Sequence, residues 1–215
     1  MSKFVEIIKK LLSDKRFFIL ELGFIGLVAY DKQFWSHQYY QLRIYLCIIV
    51  LFYIIFASKI IGLSKKKLGL IATNWLVSLK QSFLPVLILF ISLILLKLFW
   101  PSLFALGIYY NSVNQVIYRL LAYVVISVPV QELIFRAYVV NRLEQFTNNK
   151  HFIVITSAII FSSIHWPFRS LLLTLGSFIF GLFLTNNFIK YRNLYSLIAI
   201  HSILGVIVTL ITIET

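Results

Sequence analysis

Long apolar stretches are the feature that most constrains how this sequence can fold. Runs of mostly apolar residues follow one another between residues 17 and 213, several of them close to 20 residues long. About 20 such residues in a helix cross the hydrocarbon core of a bilayer. Composition agrees, because 60% of the 215 residues are hydrophobic and 13% are charged, whereas soluble domains average about 45–50% and 25%. The sequence therefore predicts an all-α fold, a polytopic membrane helical bundle.

The apolar runs predict about seven transmembrane helices and one helix at the membrane surface. The seven ranges are Phe17–Tyr30, Leu42–Ile61, Phe83–Trp100, Val116–Val140, Phe152–Trp166, Leu171–Phe188 and Leu194–Ile213. The first and the fifth are short for a membrane span. The segment Ser64–Gln81 has apolar residues at helical intervals behind a cluster of lysines, which predicts an amphipathic helix in the interface.

The charge distribution predicts a sidedness and not a nucleic-acid partner. There are 20 Lys and Arg residues against 7 Asp and Glu, a formal net charge of +13. Membrane proteins concentrate basic residues in cytoplasmic loops. With the N-terminus in the cytoplasm, 14 of the 20 basic residues fall on the inside: Lys3, Lys9, Lys10, Lys15, Arg16, Lys59, Lys65, Lys66, Lys67, Lys80, Arg142, Lys150, Lys190 and Arg192. Seven spans with the C-terminus outside fit this pattern.

The termini and the single cysteine bear on the class of protein. The N-terminus is basic and then apolar, but Glu21 interrupts the apolar run and no small-residue cleavage site follows, so we do not expect a signal peptide. Cys47 lies inside an apolar run, which predicts neither an internal disulfide nor a cysteine-based zinc site. Richness in Lys, Ile and Asn hints at a bacterium with an AT-rich genome, and hence at its plasma membrane.

The unusual polar residues are concentrated in the second half of the chain. We therefore expect one continuous membrane domain, with accessory transmembrane helices in residues 1–115 and a functional core in residues 116–215. Four ionisable residues lie inside the predicted spans of this core: Glu132, Arg136, His165 and His201. Such a group costs about 2.5–3.5 kcal/mol or more at the bilayer centre and by default marks a function or a pairing. At a rise of about 1.5 Å per residue they occupy overlapping depths, so three helices are expected to converge on one polar site.

The residues alone leave several interpretations of this site open. Glu132 and Arg136 are four residues apart on one helix face, so an intrahelical ion pair can neutralise both. A carboxylate and a histidine can also deprotonate a water while a second histidine stabilises an oxyanion, a set that suits hydrolysis of a peptide bond. Glu132, His165 and His201 are equally a zinc-type ligand set, although no helix has the spacing typical of zinc proteases. We favour no cofactor and leave a divalent metal such as zinc open.

Three short motifs in these spans resemble those of a known protease family. They are Gln131-Glu132-Leu133-Ile134-Phe135-Arg136, Phe161-Ser162-Ser163-Ile164-His165 and His201-Ser202-Ile203-Leu204-Gly205. The CAAX-protease and bacteriocin-processing family, also called the type II CAAX prenyl endopeptidase or Abi family, has Glu-Glu-x-x-x-Arg, Phe-x-x-x-His and His-x-x-x-Asn or Asp in this order on successive helices. The resemblance implies an all-helical intramembrane endopeptidase. In that family a glutamate and the first histidine activate water, and the second histidine and the asparagine form the oxyanion hole.

Carried over position by position, the resemblance assigns a role to each matching residue. Glu132 becomes the base, His165 its partner and His201 the stabiliser of the oxyanion. Arg136 and Phe161 are supporting residues of the first two motifs. The resemblance favours a mechanism without a metal.

Two positions depart from the family pattern. Gln131 stands where the family has its first glutamate, and an amide cannot act as a general base. Gly205 stands where the asparagine or aspartate is expected, which removes a donor whose loss can cost about 10²–10³ in rate. Ser202 offers a hydroxyl nearby, but on a different face of the helix.

An intramembrane endopeptidase that acts on a membrane protein or peptide is the favoured function. The alternative is a catalytically impaired relative, a membrane scaffold, immunity factor or assembly factor that binds a partner peptide. A small transporter or channel that uses the buried ionisable groups as a relay is a third hypothesis. In each case the partners are the lipid bilayer and a membrane protein or peptide, and not nucleic acid.

Overall fold

The computed structural model of the protein describes residues 3–30, 40–104 and 112–213. These residues form α-helices joined by short turns, without a β-strand in the described ranges. The helices are α1 Lys3–Leu12, α2 Lys15–Tyr30, α3 Tyr40–Ile61, α4 Trp75–Phe99, α5 Val113–Glu144, α6 Lys150–Ser163, α7 Leu171–Tyr191 and α8 Leu194–Ile211. The predicted all-α fold is confirmed. Part of the polar stretch between the first two predicted spans, and part of the one before α5, lie outside the described residues.

Four of the helices are long and apolar enough to cross a membrane. Within the described residues they cover Ala72–Phe99, Val113–Glu144, Leu171–Tyr191 and Leu194–Ile211, while Ile48–Ile61 and Lys150–Ser163 are apolar but shorter. Large apolar side chains on α4, such as Phe83 and Leu98, are exposed at the protein surface. A helix that is hydrophobic all round and exposed is one that lipid covers. With four such helices in the described residues, the predicted total of seven spans is not confirmed.

The segment Ser64–Gln81 does not form one separate helix. Residues 65–69 are in turns, Ala72–Asn74 form a short 3-10 helix, and the residues from Trp75 onward are the first turns of α4. Gly69 has a positive φ of 72° and accepts a 2.8 Å hydrogen bond from the backbone N–H of Leu194. A Cβ at Gly69 would lie 2.7 Å from the Phe188 ring. The apolar residues of this loop therefore pack on the junction of α7 and α8, and their spacing does not mark an interface helix.

The amphipathic helix of the described chain is α1. Its exposed apolar residues Phe4, Ile7 and Leu11 are spaced by three and four residues along one face, whereas Leu12 is buried. Lysines lie near both of its ends. This combination is typical of a helix that lies in the plane of a membrane interface.

A buried ion pair connects α2 to α5. The Glu21 carboxylate accepts hydrogen bonds from Arg142 Nη2 at 2.7 Å and Arg142 Nε at 3.3 Å. The hydroxyls of Tyr53 on α3 and Tyr138 on α5 donate to the same carboxylate. Arg142 lies near the C-terminal end of α5 and is fully buried. A buried charge is retained only where partners satisfy it, and Glu21 supplies that partner.

A second polar cluster connects α4 to α7 and α8. Asn187 accepts a hydrogen bond from Ser78 Oγ at 2.7 Å and donates one to Ser82 Oγ at 2.9 Å. Ser78 Oγ also lies 2.7 Å from Ser196 Oγ. All four side chains are buried. Hydrogen bonds between polar side chains of neighbouring helices favour association in lipid, where the hydrophobic effect does not drive helices together.

Helix α5 is continuous but changes its winding twice. It is π-helical over Tyr123–Ser127 and again over Leu133–Val140, with α-helical residues between. Pro129 lies in the α-helical part. A proline inside a helix lacks an N–H and crowds the carbonyl four residues earlier, here Val125 in the first π segment. The wider π winding accommodates that disruption and is a form that occurs frequently at functional sites.

Candidate active site

Glu132 and His201 form the centre of the site, where α5 packs against α8. His201 Nδ1 lies 2.7 Å from Glu132 Oε1, and both residues are buried. Arg136, one turn further along α5, places its Nε 3.6 Å from Glu132 Oε2. The intrahelical pairing of Glu132 with Arg136 is thus present, and His201 completes the set. A carboxylate between two such partners is favoured in its charged form.

The contact between Glu132 and His201 determines which imidazole nitrogen carries the proton. An ionised carboxylate only accepts hydrogen bonds, so Nδ1 of His201 must be the donor. In a neutral imidazole the other nitrogen, Nε2, is then unprotonated and can accept a proton. This is the arrangement in which a carboxylate orients a histidine base.

His165 lies at the C-terminal end of α6, next to Phe161. Its Nδ1 lies 3.2 Å from the backbone carbonyl oxygen of Phe161. A carbonyl oxygen only accepts, so Nδ1 of His165 is also a donor, and in the neutral ring its Nε2 is an acceptor. Neither histidine, when neutral, has an Nε2–H with which to stabilise an oxyanion. The site therefore needs another donor for that role.

Phe161 links the two histidines and Arg136. Its ring centroid lies 5.2 Å from that of His165 and 5.6 Å from that of His201. The guanidinium carbon of Arg136 lies 4.5 Å from the same ring, a distance at which a cation interacts favourably with an aromatic face. Phe161 was expected as a supporting residue, and the structure places it in contact with these three residues.

Three aromatic rings surround the imidazole of His201. Tyr123, Phe161 and Phe180 lie edge-on to it, with centroid distances of 6.2, 5.6 and 5.5 Å. Packing on three sides restricts rotation of the imidazole, which keeps Nδ1 directed at Glu132. Tyr123 and Phe180 were not among the residues predicted from the sequence, because an aromatic residue in an apolar span gives no signal that separates it from ordinary packing.

Arg136 is the buried cation with the fewest protein partners in the site. None of its three guanidinium nitrogens donates a hydrogen bond to a described protein atom, and Glu132 Oε2 and Ser202 Oγ likewise have no hydrogen-bond partner there. Arginine carries five N–H donors. Buried donors of this kind are costly unless water or a ligand satisfies them.

The two positions that depart from the family motifs have distinct surroundings. Gln131 donates from Nε2 to Ser127 Oγ at 2.9 Å, one turn back on α5. Gly205 lies against the ring of Tyr123, and a Cβ at this position would overlap the Tyr123 hydroxyl and two ring carbons. The glycine therefore leaves the space that the tyrosine occupies.

The zinc-type ligand set does not come together. In the part of the chain that the structure describes, no three His, Cys, Asp or Glu side chains cluster so that they could hold a metal ion. Nδ1 of His201 is already directed at Glu132, and Nδ1 of His165 at a backbone carbonyl. Glu132, His165 and His201 do not fit a metal centre in this arrangement.

A family model matches the part of the chain that contains this site. The model of type II CAAX prenyl endopeptidase Rce1-like proteins matches residues 112–207. The matched segment, residues 112–207, is referred to as the Rce1-like domain. The domain begins just before α5 and ends within α8, so it includes all three motifs, whereas α1 to α4 precede it. Comparison with curated proteins and with solved structures gave no match. The Rce1-like domain together with the four long apolar helices identifies an integral membrane protein and suggests endopeptidase activity.

Proposed function

We propose that the protein is an intramembrane endopeptidase that hydrolyses a peptide bond of a membrane protein or membrane-bound peptide. The observation that carries this proposal is the buried contact of 2.7 Å between His201 Nδ1 and Glu132 Oε1. It joins the first and third motifs of the Rce1-like domain, and it pairs a carboxylate with an imidazole in the way that water activation requires.

His201 is the general base in this proposal, oriented by Glu132. Nε2 of His201 takes a proton from water as the water oxygen attacks the scissile carbonyl carbon. Glu132 stabilises the resulting imidazolium, and Arg136 keeps that carboxylate ionised. The imidazolium then returns the proton to the amide nitrogen as the C–N bond breaks. His165, with Nε2 as an acceptor, helps to hold the attacking water. These roles differ from those that the resemblance implies, in which Glu132 is the base, His165 its partner and His201 the stabiliser of the oxyanion, because His201 has the contact with Glu132.

The test uses the full chain in liposomes with a panel of fluorogenic transmembrane peptides. We expect Glu132→Gln and His201→Ala each to reduce cleavage at least about 100-fold, the lower range for loss of general acid–base catalysis. Glu144→Gln is the matched control, since Glu144 pairs with Arg192 at a site where both side chains are 22–28% exposed. Cleavage that survives both active-site substitutions would show that this pair is not the catalytic centre.

The catalytically impaired relative stays the second candidate, and the surroundings of Gln131 favour it. The Gln131 amide is held by Ser127 and cannot act as a base. This hypothesis expects the wild type to bind membrane peptides without cleaving them, and Gln131→Glu to introduce cleavage. Robust cleavage by the wild type, unchanged by Gln131→Glu, would reject it.

A further inference from the structure

The Tyr123 hydroxyl has a position in the site that the mechanism above does not use. It lies on the Cα of Gly205, where any other residue at 205 would place its Cβ. Gly205 follows His201 by four residues on α8, so the two share a face of that helix. The Tyr123 ring is nearly perpendicular to the His201 imidazole, at 78°. The phenol and the imidazole therefore lie side by side where α5 packs on α8.

The Tyr123 hydroxyl also has no hydrogen-bond partner within the described structure. No hydrogen bond among the described residues uses Tyr123 Oη, whereas the hydroxyls of Tyr53 and Tyr138 both donate to Glu21. Tyr123 is the first residue of a π-helical segment, and such segments are found frequently at functional sites. A phenol O–H is a neutral donor, so it can bind a developing negative charge without first gaining a proton.

We propose that Tyr123 is a catalytic residue, the donor that binds the substrate's carbonyl oxygen as it becomes an oxyanion. This inference rests on the proposed endopeptidase function. Both histidines direct Nδ1–H at protein acceptors, so neither neutral imidazole fills this role. Gly205 supplies no side chain, and its absence of a Cβ is what lets the phenol lie on α8 beside His201. The hydroxyl keeps its proton throughout and contributes only a hydrogen bond that strengthens as the carbonyl acquires charge.

The first test replaces Tyr123 by phenylalanine, which keeps the ring on Gly205 and removes only the hydroxyl. We expect kcat to fall by about 10²–10³, the usual effect of losing one oxyanion donor, with KM nearly unchanged because the interaction forms in the transition state. Tyr118→Phe is the matched control on the same helix, since Tyr118 is 67% exposed, and it should leave both constants unchanged. The thermal unfolding temperature of each variant checks that the fold is retained.

The second test moves the donor to the other helix. Gly205→Asn alone should be inactive, because its Cβ meets the Tyr123 ring. Tyr123→Ala alone should lose the donor. The double variant Tyr123→Ala with Gly205→Asn makes room for an amide donor from α8, and we expect it to exceed the activity of Tyr123→Ala at least about tenfold, part of the effect of one donor.

The outcomes separate this inference from the proposed function. Wild-type cleavage with a Tyr123→Phe variant of unchanged kcat overturns the role of Tyr123 and leaves the endopeptidase intact. A rise in KM without a fall in kcat also overturns it, because that result is expected of a residue that only packs in the site. Failure of the wild type to cleave any peptide of the panel overturns both.

Discussion

Arg142 illustrates how a single buried charge depends on its neighbours. Its guanidinium is held by Glu21 and lies over the rings of Phe18, Tyr138 and Phe146, with centroid distances of 5.1, 5.9 and 5.4 Å. Removing one partner of a buried ion pair leaves the other charge uncompensated, which costs about 3–5 kcal/mol. Most of this cost comes from the buried carboxylate that is left without a partner, and less of it from the lost attraction.

We therefore expect Arg142→Met to lower the free energy of unfolding by about 3–5 kcal/mol, measured by denaturation in mixed micelles. Adding Glu21→Gln to that variant should recover much of the loss, because no charge is then left unpaired. Arg192→Met is the comparison, since its ion pair with Glu144 is partly exposed and should be worth less than about 1 kcal/mol. Equal losses in Arg142→Met and Arg192→Met would contradict the argument.

The sequence predicted the residues of the site better than their arrangement. Glu132 and Arg136 on α5 meet His201 on α8, as expected from their depths in these two spans. Depth along a helix does not determine rotation about its axis, so the choice between His165 and His201 as the neighbour of Glu132 depended on packing. Gly205 could be recognised as a departure from a motif, but the tyrosine that occupies its space lies 82 residues earlier and carries no motif of its own.

At the scale of elements, the helices of the second half follow the apolar runs closely. Helix α8 begins at Leu194 and α7 at Leu171, as predicted. Helix α4 instead begins at Trp75, eight residues before the predicted Phe83, because the polar residues Lys80 and Gln81 interrupt the apolar run without interrupting the helix. Both are exposed on its surface. A pattern of apolar residues finds the longest apolar part of a helix and misses the turns that precede a polar interruption.

Asn187 is the residue on which the junction of α4 with α7 depends. We expect Asn187→Ala to lower the free energy of unfolding by about 1–2 kcal/mol, because Ser78 and Ser82 lose a buried partner. The neighbouring Asn186 is exposed, so Asn186→Ala is a matched control that should change little. Thermal unfolding in detergent measures both, and identical behaviour of the two variants would show that the polar cluster does not stabilise the junction.

At the scale of the whole molecule, the Rce1-like domain is attached to the preceding helices through its polar groups. One attachment is the Glu21 cluster with α2 and α3, and the other is the Asn187 cluster with α4. Both clusters are buried, and both join residues more than 100 positions apart in sequence. The helices before the domain are therefore packed as part of one body with it, although their sequences carry no catalytic motif.

The orientation of the protein in the membrane can be measured directly. We propose that the N-terminus is cytoplasmic and that three spans separate it from Ser112, which places the two on opposite sides of the membrane. In a Cys47→Ser background, Lys3→Cys should resist a membrane-impermeant maleimide added to intact cells, and Ser112→Cys should react. Reaction of both, or of neither until the cells are permeabilised, would contradict the arrangement.

The carboxylate of Glu21 is synthesised before any of its partners. Tyr53 follows 32 residues later, Tyr138 117 residues later and Arg142 121 residues later. At a synthesis rate of about 5–20 residues per second, Tyr53 is made roughly 2–6 s after Glu21, and Arg142 roughly 6–24 s after it. A neutral donor thus becomes available to the carboxylate during synthesis well before the opposite charge does. The order of these partners along the chain is also the order in which they are synthesised.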